Sequence, residues 1–157
     1  MTPIIPGTPS NARPPGDSSD SHTTGIEDYR WLVSPQAERW LEIAAGTDEK
    51  SLVRLTLSLR KDLGPARTHL VIALAELRRR ARVKFQHAGR MFFTRQLLEQ
   101  ATDDTVAAYK AQRLAAGERL ADLCCGIGGD LMAMAHQGPV VGIDRDPVAV
   151  VLAEAKC

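Results

Sequence analysis

Residues 118–146 read ERLADLCCGIGGDLMAMAHQGPVVGIDRD, and they bring Gly126, Gly128 and Gly129 together with the acids Asp122, Asp130 and Asp144 in one short stretch. A glycine-rich loop between a strand and the helix that follows lets a ligand approach the backbone closely. It also offers free N–H groups at the positive end of that helix. Asp144 follows Asp122 by 22 residues. A carboxylate at the end of the second strand of such a unit accepts hydrogen bonds from both hydroxyls of a ribose. Loop and acid together describe a nucleoside-binding crevice.

The glycine pattern narrows the nucleoside. Dinucleotide-binding loops read GxGxxG/A, whereas the run from Gly126 is G-I-G-G-D-L, with Leu131 where the third small residue belongs. Asp130 opens the helix, where it would repel a pyrophosphate and favour a ligand with a cationic centre. A nicotinamide-dependent oxidoreductase is therefore the least favoured of the readings considered.

The elements needed to hold these groups are legible from periodicity and punctuation. RLADLCC and PVVGID are short apolar runs of strand character, separated by the helical pattern GDLMAMAHQ. Asp146 and Pro147 form an N-cap with proline at the first helical position, opening DPVAVVLAEAKC. Strand, helix, strand, helix is a βαβ unit with parallel strands and a right-handed crossover.

Upstream, from Ile26 to Leu114, the spacing is helical. Ser34 and Pro35 open PQAERWLEIAAG, which stops at Gly46. Thr47 is expected to cap the next helix, which ends at Gly64 and Pro65 and is buried on a broad face through Leu52, Leu55, Leu57 and Leu59. PARTHLVIALAELRRRARVKF follows. Thr94 caps RQLLEQA, and Thr102, with Asp103 and Asp104 behind it, caps DDTVAAYKAQRLA, closed by Gly117. Residues 1–25 are rich in Pro, Gly, Ser, Thr, Asn and Asp, and are expected to form a disordered tail.

ADLCCGIGGD followed by VVGIDRDPVAV resembles the first two motifs of class I S-adenosylmethionine-dependent methyltransferases. DLCCGIGGD most resembles the RNA-modifying branch that includes the trimethylguanosine synthases. The resemblance implies that Asp122 lies near the amino-acid part of the cofactor, that Gly126, Gly128 and Gly129 form the cofactor loop, and that Asp144 binds the ribose. Asp130 is placed with them at the start of the helix. In this branch a Thr-Pro-Glu triplet opens a helix near the cofactor. Thr102 matches its threonine, while Asp103 and Asp104 replace proline and glutamate, and Cys124 replaces the first glycine common in the wider superfamily. The lead-in with RRRARVKF and RMFFTR is similar to bacterial methyltransferases that carry a THUMP-like domain.

The expected architecture is α/β. Residues 1–25 form a tail, residues 26–116 a helical region, and residues 117–157 the first βαβα portion of an incomplete Rossmann-like methyltransferase domain. With two strands where such a domain has about seven, the expectation is an N-terminal fragment without an acceptor pocket, inactive by itself and only weakly able to bind cofactor.

The formal net charge of +1 conceals a segregation. Residues 51–95 hold eleven basic and two acidic side chains, a balance of +9, flanked by segments of −4 on either side. Arg78, Arg79, Arg80, Arg82 and Lys84 form its densest run. They fit either contact with RNA phosphates or the solvated end of a helix, where positive charge complements the dipole. The competing functional class is a helical nucleic-acid-binding module whose βαβ tail is only a structural cap. Phe85, Phe92 and Phe93 fit core packing better than a base-stacking platform.

Three cysteines, two adjacent, and four unclustered histidines give no disulfide framework and no metal-ligand spacing. The thiols are expected to act as small apolar packing groups. With no long apolar run and no signal pattern, a cytoplasmic protein is expected, without membrane or metal partners.

Overall fold

The computed structural model describes residues 4–6, 24–48 and 50–155. Its elements in chain order are β1 (Ile4–Pro6), α1 (Ile26–Leu32), α2 (Pro35–Ala45), α3 (Leu52–Ala81), a 3₁₀ turn (Ala88–Arg90), α4 (Arg95–Gln100), α5 (Asp104–Ala111), β2 (Leu120–Asp122), α6 (Gly129–Ala135), β3 (Val140–Asp144) and α7 (Pro147–Glu154). The chain divides into two compact units. One comprises residues 8–75, and the other joins residues 1–7 to residues 76–157.

In the first unit the helices are set by caps and apolar stripes. Asp28 reaches back to the Gly25 N–H at the start of α1, and its other oxygen accepts from Arg67 at 3.3 Å. The Arg67 guanidinium also lies over the Trp31 ring, 4.8 Å from its centroid, which ties the start of α1 to the later part of α3. In α2, Ala37, Leu41 and Ala44 are buried at helical spacing.

Gly64, at φ 72°, breaks α3 where the Gly-Pro signal places the boundary. The buried Thr68 hydroxyl donates to the Gly64 carbonyl at 2.7 Å, which gives this buried polar group its partner. Two expectations for the first half of this helix do not hold. Thr47 is not its cap: its hydroxyl donates backwards to the Ile43 carbonyl, while the Asp48 carboxylate accepts from the Ser51 N–H. Nor is the helix buried on a broad face, for Val53 and Leu57 are exposed and Leu59 alone of the four leucines is fully buried.

In the second unit, β2 and β3 pair in parallel across α6, as the βαβ reading predicts, with Leu120 opposite Val140 and Asp122 opposite Gly142. The order of the three-stranded sheet is β1-β3-β2. β1 was not anticipated. It falls within the stretch expected to be a disordered tail and pairs in parallel with β3, Ile4 opposite Gly142. Its run Ile-Ile-Pro is short, and strand pairing along β3 supplies backbone partners that a local reading of composition cannot see. The rest of that expected tail, save Thr24 and Gly25, lies outside the described residues.

Cys125, Leu131, Val140, Val150 and Ala153 form the core under this sheet, with Leu120 and Met134 packed against it. Fully burying a leucine such as Leu131 contributes about 1.5–3 kcal/mol. The two adjacent cysteines part company: Cys125 packs in the core as expected, whereas Cys124 is exposed, and Cys157 lies outside the described residues.

The compact units do not follow the division at residues 116 and 117 read from the change of period. Residues 76–116 belong with the sheet. Lys84 donates to the carbonyls of Leu98, Glu99 and Ala101 at 3.0–3.2 Å, completing the C-terminal end of α4. Asp104 closes the same join, its carboxylate accepting from the Gln86 N–H at 2.7 Å and its own N–H donating to the Lys84 carbonyl. α5 then packs against α6.

Candidate functional site

A cleft of about 490 Å3 opens at the C-terminal ends of β2 and β3, lined among others by Thr102, Cys124, Gly126, Gly129, Asp130 and Asp144. Ligands of open α/β sheets bind at this end of the strands, and the size lies in the range of small-molecule sites.

Asp144 closes β3, and both its oxygens are held by backbone. The Gly126 N–H donates to one at 2.8 Å and the Asp146 N–H to the other at 2.9 Å. Asp146 in turn caps α7 by accepting from the Val148 N–H. Gly126 adopts φ 52°, the left-handed region open to glycine, and a Cβ placed there would meet nothing within 4 Å. Backbone conformation rather than crowding selects glycine here. At this position the loop presents backbone alone to the cleft.

Gly129 is required for a different reason. A Cβ on it would come within 3.0 Å of the Thr102 carbonyl, so the start of α6 and the turn before α5 touch backbone to backbone. Thr102 does not cap α5, contrary to expectation. Asp103 does so, accepting from the N–H groups of Thr105 and Val106, which leaves the Thr102 hydroxyl to donate to Asp130 at 2.9 Å. The Lys110 ammonium completes the group, 3.0 and 2.9 Å from the two Asp130 oxygens and 3.2 Å from the Thr102 hydroxyl.

Of the seven residues singled out in the sequence, Thr102, Gly126, Gly129, Asp130 and Asp144 line the cleft, while Gly128 and Asp122 do not. Gly128 is buried at φ 77°, as the N-cap of α6 against Ala153 and Leu131, so its place is in the turn. Asp122 ends β2, and burial holds its carboxyl above the ordinary carboxylate value. The Cys124 N–H opposes this, Asp130 and Asp144 push the same way as burial, and Lys110 pulls back. Lys110 is the group that sequence reading missed. It stands on a helix turn with no motif, and only the packing of α5 on α6 brings it to Asp130.

The basic run is divided. Arg78 donates to the Met91 carbonyl at 2.9 Å and lies 5.0 Å from the Phe92 centroid, with burial lowering its pKa. Lys84 holds the end of α4, as above. These two are committed within the protein, whereas Arg79, Arg80 and Arg82 are exposed, Arg80 with Glu99 3.9 Å away. Phe85 and Phe93 are buried with centroids 5.8 Å apart, in the core rather than on a stacking surface.

Among the described residues no three His, Cys, Asp or Glu side chains are grouped to hold a metal, and no helix is long and apolar enough to cross a membrane.

These features define a small parallel α/β unit with a cleft at its strand ends. It has a counterpart of known structure, described as a "putative methyltransferase" from Porphyromonas gingivalis W83, with a TM-score of 0.63 and 23% sequence identity. The match covers 83% of this chain and 31% of that one, so the chain spans about a third of that protein's length and shares its fold there. No protein-family model and no curated protein matches the sequence.

Proposed function

We propose that this chain carries the cofactor-binding part of a class I S-adenosylmethionine-dependent methyltransferase acting on RNA. The observation that carries the reading is Asp144. Its carboxylate offers about four lone-pair sites, of which the Gly126 and Asp146 N–H groups occupy two, one on each oxygen. The remaining sites, one on each oxygen, match the two neighbouring hydroxyls of a ribose. The bare backbone of Gly126 beside it leaves room for a nucleoside, so these residues fit the cofactor.

When bound, S-adenosylmethionine supplies an electrophilic methyl carbon on a sulfonium. The part of the chain's own residues is binding and orientation. Asp144 fixes the ribose, the Gly126 loop sets the depth of the nucleoside, and the exposed Leu123 offers apolar surface in the cleft wall. Holding the methyl carbon where an acceptor can reach it lowers the entropic part of the barrier. RNA as acceptor is favoured by the exposed Arg79, Arg80 and Arg82, which suit phosphates and not bases.

Calorimetric titration of the 157-residue chain with S-adenosylmethionine tests the reading. Saturable binding that Asp144→Ala removes is expected, with no binding of reduced nicotinamide dinucleotide. Binding of that dinucleotide, or cofactor affinity indifferent to Asp144→Ala, would overturn it.

A further inference from the structure

Lys110, Thr102 and Asp130 form a closed triangle in which each side chain touches the other two. Thr102 and Asp130 line the cleft, while Lys110 stands behind them on α5. Lys110 therefore fixes the orientation of two groups on the cleft wall without belonging to it. It also offsets the charge of Asp130, which lines the cleft with Asp144 and acts, as Asp144 does, on the nearby Asp122. Its field reaches past its direct partner, since it counteracts at Asp122 the repulsion from the other two acids.

Resting on the proposed cofactor, we propose that Lys110 is a positioning residue that also sets how strongly the cleft prefers the sulfonium cofactor over the neutral thioether left after transfer. In that transfer the methyl–sulfur bond breaks, its electron pair stays on sulfur, and the methyl group passes to the acceptor. The two ligands share the same nucleoside and amino-acid parts and differ by a methyl group and one positive charge. A loss of positioning weakens both alike and cancels in the ratio of their affinities. A change in the cleft's field does not cancel. Removing a positive charge from behind the wall favours the more cationic ligand wherever its sulfur lies, so the sign follows from Coulomb's law alone.

The experiment is titration of the chain and its variants with S-adenosylmethionine and with S-adenosylhomocysteine at low ionic strength. Lys110→Met is expected to weaken both ligands while shifting the affinity ratio about three- to ten-fold toward the sulfonium, the order expected for one charge across a partly solvated cleft. Lys110→Arg should return the ratio to that of the native chain, and added salt should shrink the shift. Asp130→Asn, which keeps Lys110 and removes the acid, should move the ratio the other way and is an independent check should Lys110→Met fold poorly. If both ligands bind and Lys110→Met weakens them equally, Lys110 is merely structural and the proposal is overturned, with the cofactor reading intact. If neither ligand binds the native chain, the cofactor reading fails and the proposal falls with it.

Discussion

Asp144 and Asp130 face the same cleft, but they are held there by different kinds of partner. Asp144 is oriented by backbone N–H groups, 18 and 2 residues away in sequence. Asp130 is oriented by side chains of Thr102 and Lys110, 28 and 20 residues away. Backbone donors in a loop fixed by Gly126 have little freedom to lose. Long side chains do, and an exposed ion pair such as Lys110–Asp130 is weak by itself. The Asp144 edge is thus preorganised by the turn, whereas the Asp130 edge depends on α4 and α5 being anchored.

The largest expected effect breaks the first edge. Asp144→Ala removes the acceptor of two loop N–H groups as well as the ribose contacts, and hydrogen bonds to a charged group are worth about 1.5–3 kcal/mol each. Cofactor affinity should fall at least about tenfold by calorimetry, and amide exchange at Gly126 should accelerate.

Next is the anchor of the second edge. Lys84→Met leaves the carbonyls of Leu98, Glu99 and Ala101 without their cationic partner, and denaturant unfolding should show a loss of about 1–2 kcal/mol. Exchange at Thr102 and Asp130 should rise while exchange at Gly126 stays put. Equal acceleration at both edges would erase the distinction between them.

A smaller effect sharpens it. Thr102→Val deletes one hydroxyl of the triangle but keeps the Lys110–Asp130 pair, and about 0.5–1.5 kcal/mol of stability should be lost.

The smallest expected effect is a pH dependence at Asp122, which stands between the two edges. Its carboxyl is raised, chiefly by burial, so between its unfolded and folded values the folded protein binds the extra proton. That contribution to stability is present below the unfolded value and is lost as pH rises through the raised folded value. Asp122→Asn, which retains an oxygen for the Cys124 N–H, should flatten the fall in this acid window. Unfolding midpoints measured across that window should therefore converge at low pH and favour the variant above it.

The same contrast explains what could be read from the sequence. The Asp144 edge is local: a βαβ period, a glycine at a turn needing φ above zero, and an acid at a strand end leave a signature in adjacent residues. Pro147 after Asp146 and Thr94 before α4 are legible for the same reason, and both caps form. Lys110 left no signature, because its partner is chosen by helix packing across 20 residues. Thr47 and Thr102 show the limit of cap reading where several candidates adjoin. In each case the following aspartate accepts instead, Asp48 from the Ser51 N–H and Asp103 from those of Thr105 and Val106. The boundary placed at residue 116 followed the change of period, but Thr102 and Lys110 bind Asp130 across it through contacts that periodicity does not register.

The most direct test is amide NMR mapping of the chain titrated with S-adenosylmethionine. The account predicts saturable shifts at Cys124, Gly126, Asp130 and Asp146, with the Gly126 and Asp146 shifts lost in Asp144→Ala. Shifts absent from these residues, or confined to Arg79, Arg80 and Arg82 at and just past the end of α3, would contradict it.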